Sequence, residues 1–365
     1  MGIPAQRDPD VTRKTLADWL QRQLPGARDV EISELKVPEE SGFSNETLMA
    51  DVQWEEPAGP RRDAIVVRVK PTGYKVFLDA DFEQQWRLLS LLDKETDVPV
   101  PPMLWFEEDE SLLGAPFFVM RKVDGRPAPD RPPYNQAGWL FEATPAEREE
   151  AWSNAIDALV AVHRVPTEMV MFLDKPELGS TGFDQIFNYW GKSFEWAARG
   201  KPQPVAEAAW EWLNANMPTS RPTALSWGDC RIANVLFAPD GSVRAVVDWE
   251  MLSLGGHEMD LGWWLFLDDF HAFETARLEG LGTRADTIER WEAGTGEKAD
   301  DLHWYDVFAG FRFAIVMMRL AQMFESWGMD VGGGSQADME TNNDVTHVLA
   351  RKLDVAPPGP IPPRF

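Results

Sequence analysis

The sequence predicts an α+β fold of two lobes, and three observations predict it. Roughly the first 120 residues alternate apolar and polar positions over short runs broken by turns. The following 240 or so carry long segments whose apolar residues recur at helical spacing, each part within ordinary domain size. Between them lies Asp124-Gly125-Arg126-Pro127, a turn-forming stretch that suits a hinge.

Each element follows from its pattern. From Val11 to Leu24 the residues Leu16, Trp19, Leu20 and Leu24 fall on one helical face, and Pro25-Gly26 closes the segment. Strands follow: Glu46 to Trp54, then Ala64 to Lys70, where Ile65, Val67 and Val69 share one face and Val66, Arg68 and Lys70 the other. Helical periodicity returns from Asp79 to Leu92 and ends before Val98-Pro99-Val100-Pro101-Pro102. Two short strands, Met103 to Glu107 and Phe117 to Val123, complete the first lobe. The second lobe opens with a helix from Pro145 to His163, striped by Trp152, Ile156, Leu159 and Val162. Helices are expected near Phe183 to Ala198 and Val205 to Asn216, a strand–loop–strand unit over Ala224 to Trp249, and further helices over Met259 to Phe270, Arg284 to Ala293 and Leu302 to Trp327. The Gly-rich piece Gly332 to Asp338 and the Pro-rich tail read as flexible. No internal repeat is visible.

Composition narrows the function. With 60 acidic against 35 basic residues the formal net charge is −25, which argues against generic binding to nucleic acid or anionic membrane. The excess is compatible with a cationic substrate, and equally with a solvated acidic surface. One cysteine, Cys230, permits no intrachain disulfide. The first ten residues lack the apolar core of a signal peptide. No apolar run approaches the roughly 20 residues a membrane helix needs; Phe313 to Met318 is flanked by Arg312 and Arg319. A cytoplasmic, soluble protein is expected, as a monomer or homodimer.

The chemistry concentrates in Leu225-Ser226-Trp227-Gly228-Asp229-Cys230-Arg231-Ile232-Ala233-Asn234-Val235-Leu236-Phe237 and in Ala245-Val246-Val247-Asp248-Trp249-Glu250. Asp229 and Asn234 lie on a polar loop between apolar stretches, Asp248 ends a hydrophobic strand, and Pro239-Asp240-Gly241 folds the two strands together. The hairpin brings the three side chains close. Carboxylate and amide oxygens suit magnesium with substrate phosphates, so Asn234 and Asp248 are natural metal ligands. Asp229 is placed to accept a hydroxyl proton. The Asp-x-x-x-x-Asn spacing matches a kinase catalytic loop.

Together with Glu258-Met259-Asp260-Leu261-Gly262, these motifs resemble the aminoglycoside phosphotransferase family, near the branch of kinase domains associated with acyl-CoA dehydrogenases. The resemblance runs from the turn at Ser41 to the helix ending near Trp327. It implies a protein-kinase-like fold with an antiparallel-sheet N-lobe and a mainly helical C-lobe. Residues 1–124 would form the nucleotide-binding lobe with its leading helix, 125–354 the lobe with catalytic loop and acceptor site, and 355–365 a flexible tail. ATP and Mg2+ are the implied cofactors, with a small-molecule hydroxyl acceptor as partner. By the same resemblance Asp229 is the catalytic base, Asn234 and Asp248 the magnesium ligands, and Asp260 the carboxylate that braces the catalytic loop. Ser41-Gly42-Phe43-Ser44-Asn45 would fold over the phosphates, Arg68 would bind them with Glu83 as its ion-pair partner, and Met120 to Val123 would meet adenine.

Plainer readings stand beside several of these. Helix capping fits Asp260 as well as bracing does, a hairpin turn fits Ser41 to Asn45, and Glu83 alone reads as a surface charge. His163 suits a packed or helix-capping role, Cys230 a packing role, and the tryptophans are mostly core. Two departures from the family pattern stand out: Trp227 occupies the usual histidine position, and Arg68 that of a lysine, leaving Lys70 as a second candidate. The implied activity is transfer of the ATP γ-phosphate to a hydroxyl, possible acceptors being an aminoglycoside or a hydroxyacyl-CoA; a nucleotide-binding protein without transfer activity is the alternative that Trp227 raises.

Overall fold

The computed structural model describes residues 7–37, 45–79, 81–130, 132–329 and 335–361. Helix α1 (Pro9–Gln23) begins where the Asp8 carboxylate accepts the N–H groups of Asp10 and Val11, with Pro9 pre-set for the first turn. Strands β1 (Arg28–Ile32), β2 (Glu46–Glu56), β3 (Gly59–Val69), β4 (Met103–Glu107) and β5 (Phe117–Arg121) form one sheet. Its order is β1-β2-β3-β5-β4, and every neighbouring pair is antiparallel. Alternation gives the sheet two faces. Ile65, Val67 and Val69 pack with Leu16, Trp19 and Leu20 of α1, and the Trp19 indole N–H donates to Glu107 at 2.7 Å. The other face carries Phe118, which packs with Phe82, Leu88 and Leu89 of helix α2 (Phe82–Glu95). That helix starts three residues after Asp79. The one-turn α3 (Glu110–Leu113) links β4 to β5.

The second lobe is helical apart from one hairpin. It runs through α4 (Trp139–Glu142), α5 (Pro145–His163), α6 (Thr167–Val170), α7 (Gly182–Ala198) and α8 (Pro204–Ala215), then strands β6 (Val235–Phe237) and β7 (Val243–Val246). It closes with α9 (His257–His271), α10 (Arg284–Thr295), α11 (Leu302–Ser326), α12 (Gln336–Thr341) and α13 (Asp344–Leu353). A Thr144 capping box starts α5 where the sequence places it. Helix α11 corrects one expectation: its 25 residues are long and apolar enough to cross a membrane, yet 83% of its most apolar window is buried inside the protein. It is the central core helix. The expected flexibility of 332–338 is also corrected in part, since α12 begins at Gln336; residues 331–334 lie outside the described residues. Within the Pro-rich tail, the Pro360 carbonyl accepts from the Asn342 amide at 3.0 Å.

Three connections hold the hinge and the two lobes together. Arg126 and Phe237 exchange backbone hydrogen bonds of 2.9 and 3.1 Å, and the Val246 N–H donates to the Pro99 carbonyl at 2.7 Å. Third, the segment between β3 and α2 lies on α11, with Val76 packed among Leu320, Met323 and Phe324. There the Arg319 guanidinium sits between the rings of Trp196 and Tyr74, 3.6 and 4.4 Å from their centroids, and donates to the Lys75 carbonyl at 2.7 Å. Arg319→Met keeps much of the volume and removes the charge and its hydrogen bonds. It should cost about 2 kcal/mol of unfolding free energy in urea titration, whereas a change under about 0.5 kcal/mol would show that the segment is held by its apolar side chains alone.

Candidate active site

The hairpin register places the functional groups. Val235 pairs with Val246, and one step further the Val247 N–H donates to the Asn234 carbonyl at 2.9 Å. Asn234 and Asp248 therefore emerge at the same end of the hairpin. The opposite end turns through Gly241 at φ +81°, with the Asp240 carboxylate accepting the Ser242 N–H at 3.1 Å. Asp248 adopts φ +62°, a left-handed conformation uncommon outside glycine and tolerated best by Asn and Asp.

The loop before the hairpin is held by a buried carboxylate. Asp260 lies in the first turn of α9, whose N-cap is Gly256. Its side chain leaves its own helix and accepts four hydrogen bonds: from the backbone N–H groups of Trp227 (2.7 Å) and Gly228 (2.8 Å), the Ser226 hydroxyl (2.7 Å) and His163 Nε2 (3.0 Å). Burial alone would raise its pKa, but those donors hold it below the usual carboxylate range. The Trp291 indole N–H donates to His163 Nδ1 at 2.9 Å. An indole can only donate, so His163 carries its proton on Nε2, toward Asp260. The Cys230 thiol donates to the Asp260 carbonyl at 3.0 Å, and burial pushes its pKa up. Gly228, at φ +94°, is required by close approach, because a Cβ there would lie 2.1 Å from the Met251 carbonyl oxygen.

With the loop fixed, Asp229 is oriented from three sides. One carboxylate oxygen accepts the Trp263 indole N–H at 2.9 Å and the other accepts Asn234 Nδ2 at 2.8 Å. The Arg231 guanidinium lies 3.2 Å away and also pairs with Asp130. Burial opposes the Arg231 charge, and Asp130 and Asp229 more than offset it. Because Nδ2 of Asn234 is committed to Asp229, its amide oxygen is left as the group to offer a cation. Asp248 is half-buried beside these acids; loss of solvent and the Asp229 charge raise its pKa against the pull of Arg68 and Arg231.

Trp227 occupies the position where a histidine was expected, and its geometry explains the exchange. Fully buried, it stacks on Trp249 with centroids 5.6 Å apart. Its N–H is shared between the carbonyls of Val247 (3.0 Å) and Asp248 (3.2 Å). The indole thus ties the loop carrying Asp229 to the strand carrying Asp248.

The N-lobe residues are placed less as expected. Ser41 and Ser44 lie outside the described residues. Asn45 is buried and donates to Glu250 at 2.6 Å. Arg68 faces the cleft, but its partner is Glu250, not Glu83. Glu83 is exposed because Phe82, Gln85, Leu88, Leu89 and Leu92 occupy the packed face of α2. Lys70 is exposed, and Met120 and Val123 are half-buried at the end of β5 and just beyond it. Glu250 itself is pushed up to about 8 by burial and by the neighbouring Asp248 charge, with Arg68 and Asn45 opposing.

Sequence reasoning assigned no role to Glu250, Arg231, Trp263 or Arg312. Arg312 is 1% exposed; it donates to the Gly228 carbonyl at 2.9 Å and lies 4.6 Å from the Trp263 ring centroid. Burial lowers its pKa to about 10, which leaves it charged at neutral pH. The charges Asp306, Arg312 and Arg319 inside the otherwise apolar α11 were the available signal. For Trp263 there was none.

Known proteins share this fold. The family model described as the phosphotransferase enzyme family matches residues 40–295. A protein of Arabidopsis thaliana described as an acyl-CoA dehydrogenase is 25% identical over 324 residues, 83% of this chain and 37% of its own length, so the chain spans only about a third of that relative. Among solved structures, a protein from Ralstonia eutropha described as an aminoglycoside phosphotransferase superposes with a TM-score of 0.66 at 22% identity, covering 93% of this chain and 98% of the other. A thermostable mutant of the aminoglycoside phosphotransferase APH(4)-Ia, in a ternary complex with AMP-PNP and hygromycin B, superposes at 0.56 with 13% identity, over 93% and 98% of the two chains. The two-lobed fold is shared, and the chain belongs to the phosphotransferase enzyme family, whose members are small-molecule kinases of the kinase-like fold.

Proposed function

We propose that this protein transfers the γ-phosphate of ATP to a hydroxyl group of a small molecule with the help of magnesium. The observation that carries the proposal is the hairpin end where Asp229, Asn234 and Asp248 meet, with Asp229 held by Trp263 and Asn234. The AMP-PNP complex of the related fold supports a nucleotide in the cleft.

The donor set fits magnesium. Among the described residues no cluster of three His, Cys, Asp or Glu side chains could cage a metal unaided. One carboxylate and one amide oxygen suit a cation that brings phosphate oxygens and water as its other ligands. Crowding of Asp229, Asp248 and Glu250, which adds to the effect of burial in raising the pKa values of Asp248 and Glu250, is the electrostatic demand a cation would relieve. Asp248 and Asn234 would hold that ion, which neutralises charge on the transferring phosphoryl group. Asp229 takes the proton of the acceptor hydroxyl and aligns its oxygen for in-line attack. Trp263 and Asn234 fix the carboxylate rotamer for that task, and Arg68 supplies positive charge from the N-lobe.

Two acceptor classes divide the remaining argument. An aminoglycoside is supported by hygromycin B in the related complex and by the acidic chain. A hydroxyacyl-CoA is supported by the relative described as an acyl-CoA dehydrogenase. Phosphate transfer from ATP across both classes and across simple alcohols tests the reading: turnover with either selects it, and no turnover with any acceptor together with MgATP binding favours a nucleotide-binding protein without transfer.

Asp229→Ala should lower kcat by roughly a hundredfold to ten-thousandfold while MgATP still raises the melting temperature; an unchanged kcat would remove Asp229 from the reaction. Protons and magnesium compete for the Asp248 oxygens, and its raised pKa brings that competition closer to neutrality. MgADP binding should therefore weaken as pH is lowered from about 8 to about 5 in calorimetry, with proton release on binding. Binding without pH dependence would exclude Asp248 as a ligand.

A further inference from the structure

Two donors from separate parts of the N-lobe meet on one oxygen of the C-lobe. Oε1 of Glu250 accepts Nδ2 of Asn45 at 2.6 Å and also Nη2 of Arg68. Asn45 immediately precedes β2, and Arg68 lies at the end of β3. Thr47 is the cross-strand neighbour of Arg68, and alternation puts Asn45, two residues before it, on the same side of the sheet. Little of the three groups is open to water: Asn45 is 3% exposed, and the side chains of Arg68 and Glu250 are 14% and 5% exposed.

Glu250 is in turn mounted on the loop that carries Asp229. The residue before it, Trp249, is buried and stacks on Trp227. The carbonyl of the residue after it, Met251, packs so closely on Gly228 that no Cβ would fit there. Trp227 and Gly228 are the two residues that precede Asp229. The place of the Glu250 carboxylate is therefore set by the same loop that places Asp229. Helix α2 offers Arg68 no such anchor, since Glu83 points to solvent.

We propose that Glu250 is a positioning residue for the nucleotide phosphates: it holds Arg68 and Asn45 of the N-lobe in alignment with the loop of Asp229. The role rests on the nucleotide reading of the cleft given above, and Glu250 acts in it through its two donors. A carboxylate near a triphosphate would by itself repel it. What it contributes is orientation, because a guanidinium matches phosphate oxygens only when its fork is aimed at them. The property that matters is thus an acceptor oxygen at the right reach, more than the charge.

Calorimetry with ADP and with adenosine, both without magnesium, separates this role from metal binding. Glu250→Ala should weaken ADP about tenfold and leave adenosine within about twofold, since only the phosphate-binding donors lose their anchor. Glu250→Gln keeps an acceptor oxygen at the same reach without the charge, and should bind ADP no more than about threefold more weakly than the wild type. Most of the Glu250→Ala effect should vanish in the Arg68→Met background, because the carboxylate acts through that side chain. Adenosine binding reports that the cleft is folded in each variant. If Glu250→Ala does not fold, Glu250→Asp, which keeps the charge and shortens the reach, should weaken ADP about threefold. Unchanged or tighter ADP binding in whichever of the Ala and Asp variants folds, equal losses in the Ala and Gln variants, or a full effect on top of Arg68→Met would overturn the positioning role alone. A wild-type protein that binds no ADP, with or without magnesium, would remove the nucleotide reading and this role with it.

Discussion

The geometry of the candidate site depends on one side chain that never meets solvent. Asp260 is at 0% exposure and accepts four hydrogen bonds. Burying an isolated carboxylate is prohibitive; here the cost is met by donors that must occupy set positions, and three of those donors belong to the consecutive residues Ser226, Trp227 and Gly228 of the loop before the hairpin. The loop therefore has little freedom to relax without stranding a buried charge. His163, oriented by Trp291, closes the arrangement from α5. Arg312 presses from behind through the Gly228 carbonyl. Position of the Asp229 carboxylate is thus inherited from packing in the helical lobe.

The other half of the site is organised across the cleft. Arg68 projects from β3 to Glu250, which follows Asp248 by two residues. An ion pair confined to the N-lobe would set the arginine by the position of α2. The pair seen here instead sets it by the distance between lobes. A triphosphate entering the cleft would meet an arginine that already has a carboxylate partner, so part of its binding is an exchange of one anion for another. Such exchange recovers less free energy than pairing with a solvated cation, but it delivers a guanidinium whose position is already fixed.

How much of this was legible in the chain depends on sequence distance. Asp229, Asn234 and Asp248 sit within one loop and one short hairpin, and the turn residues between the strands fix their relation, so spacing and residue type sufficed. The helix from Pro145 to His163 was readable to the residue because its cap and its apolar stripe agree. Arg68 and Glu250 are 182 positions apart, and no periodicity reports on such a pair; Glu83 was the better guess from local pattern alone. The Trp263 contact to Asp229 depends on how α9 packs under the loop, which is also invisible locally. For α11 the sequence showed only a short apolar run between Arg312 and Arg319, and burial against its neighbours identified the whole 25-residue helix as core. The hydrophobic pattern located the helices well and said little about what their polar exceptions were for.

The indole at position 227 has a consequence for how the site responds to its surroundings. Imidazole gains a proton near neutrality, and any linkage made through it changes strength when the medium acidifies. An indole neither gains nor loses one across that interval. The joint between the loop of Asp229 and the strand of Asp248 is therefore insensitive to acidity, and variation with pH must originate in the other ionisable groups.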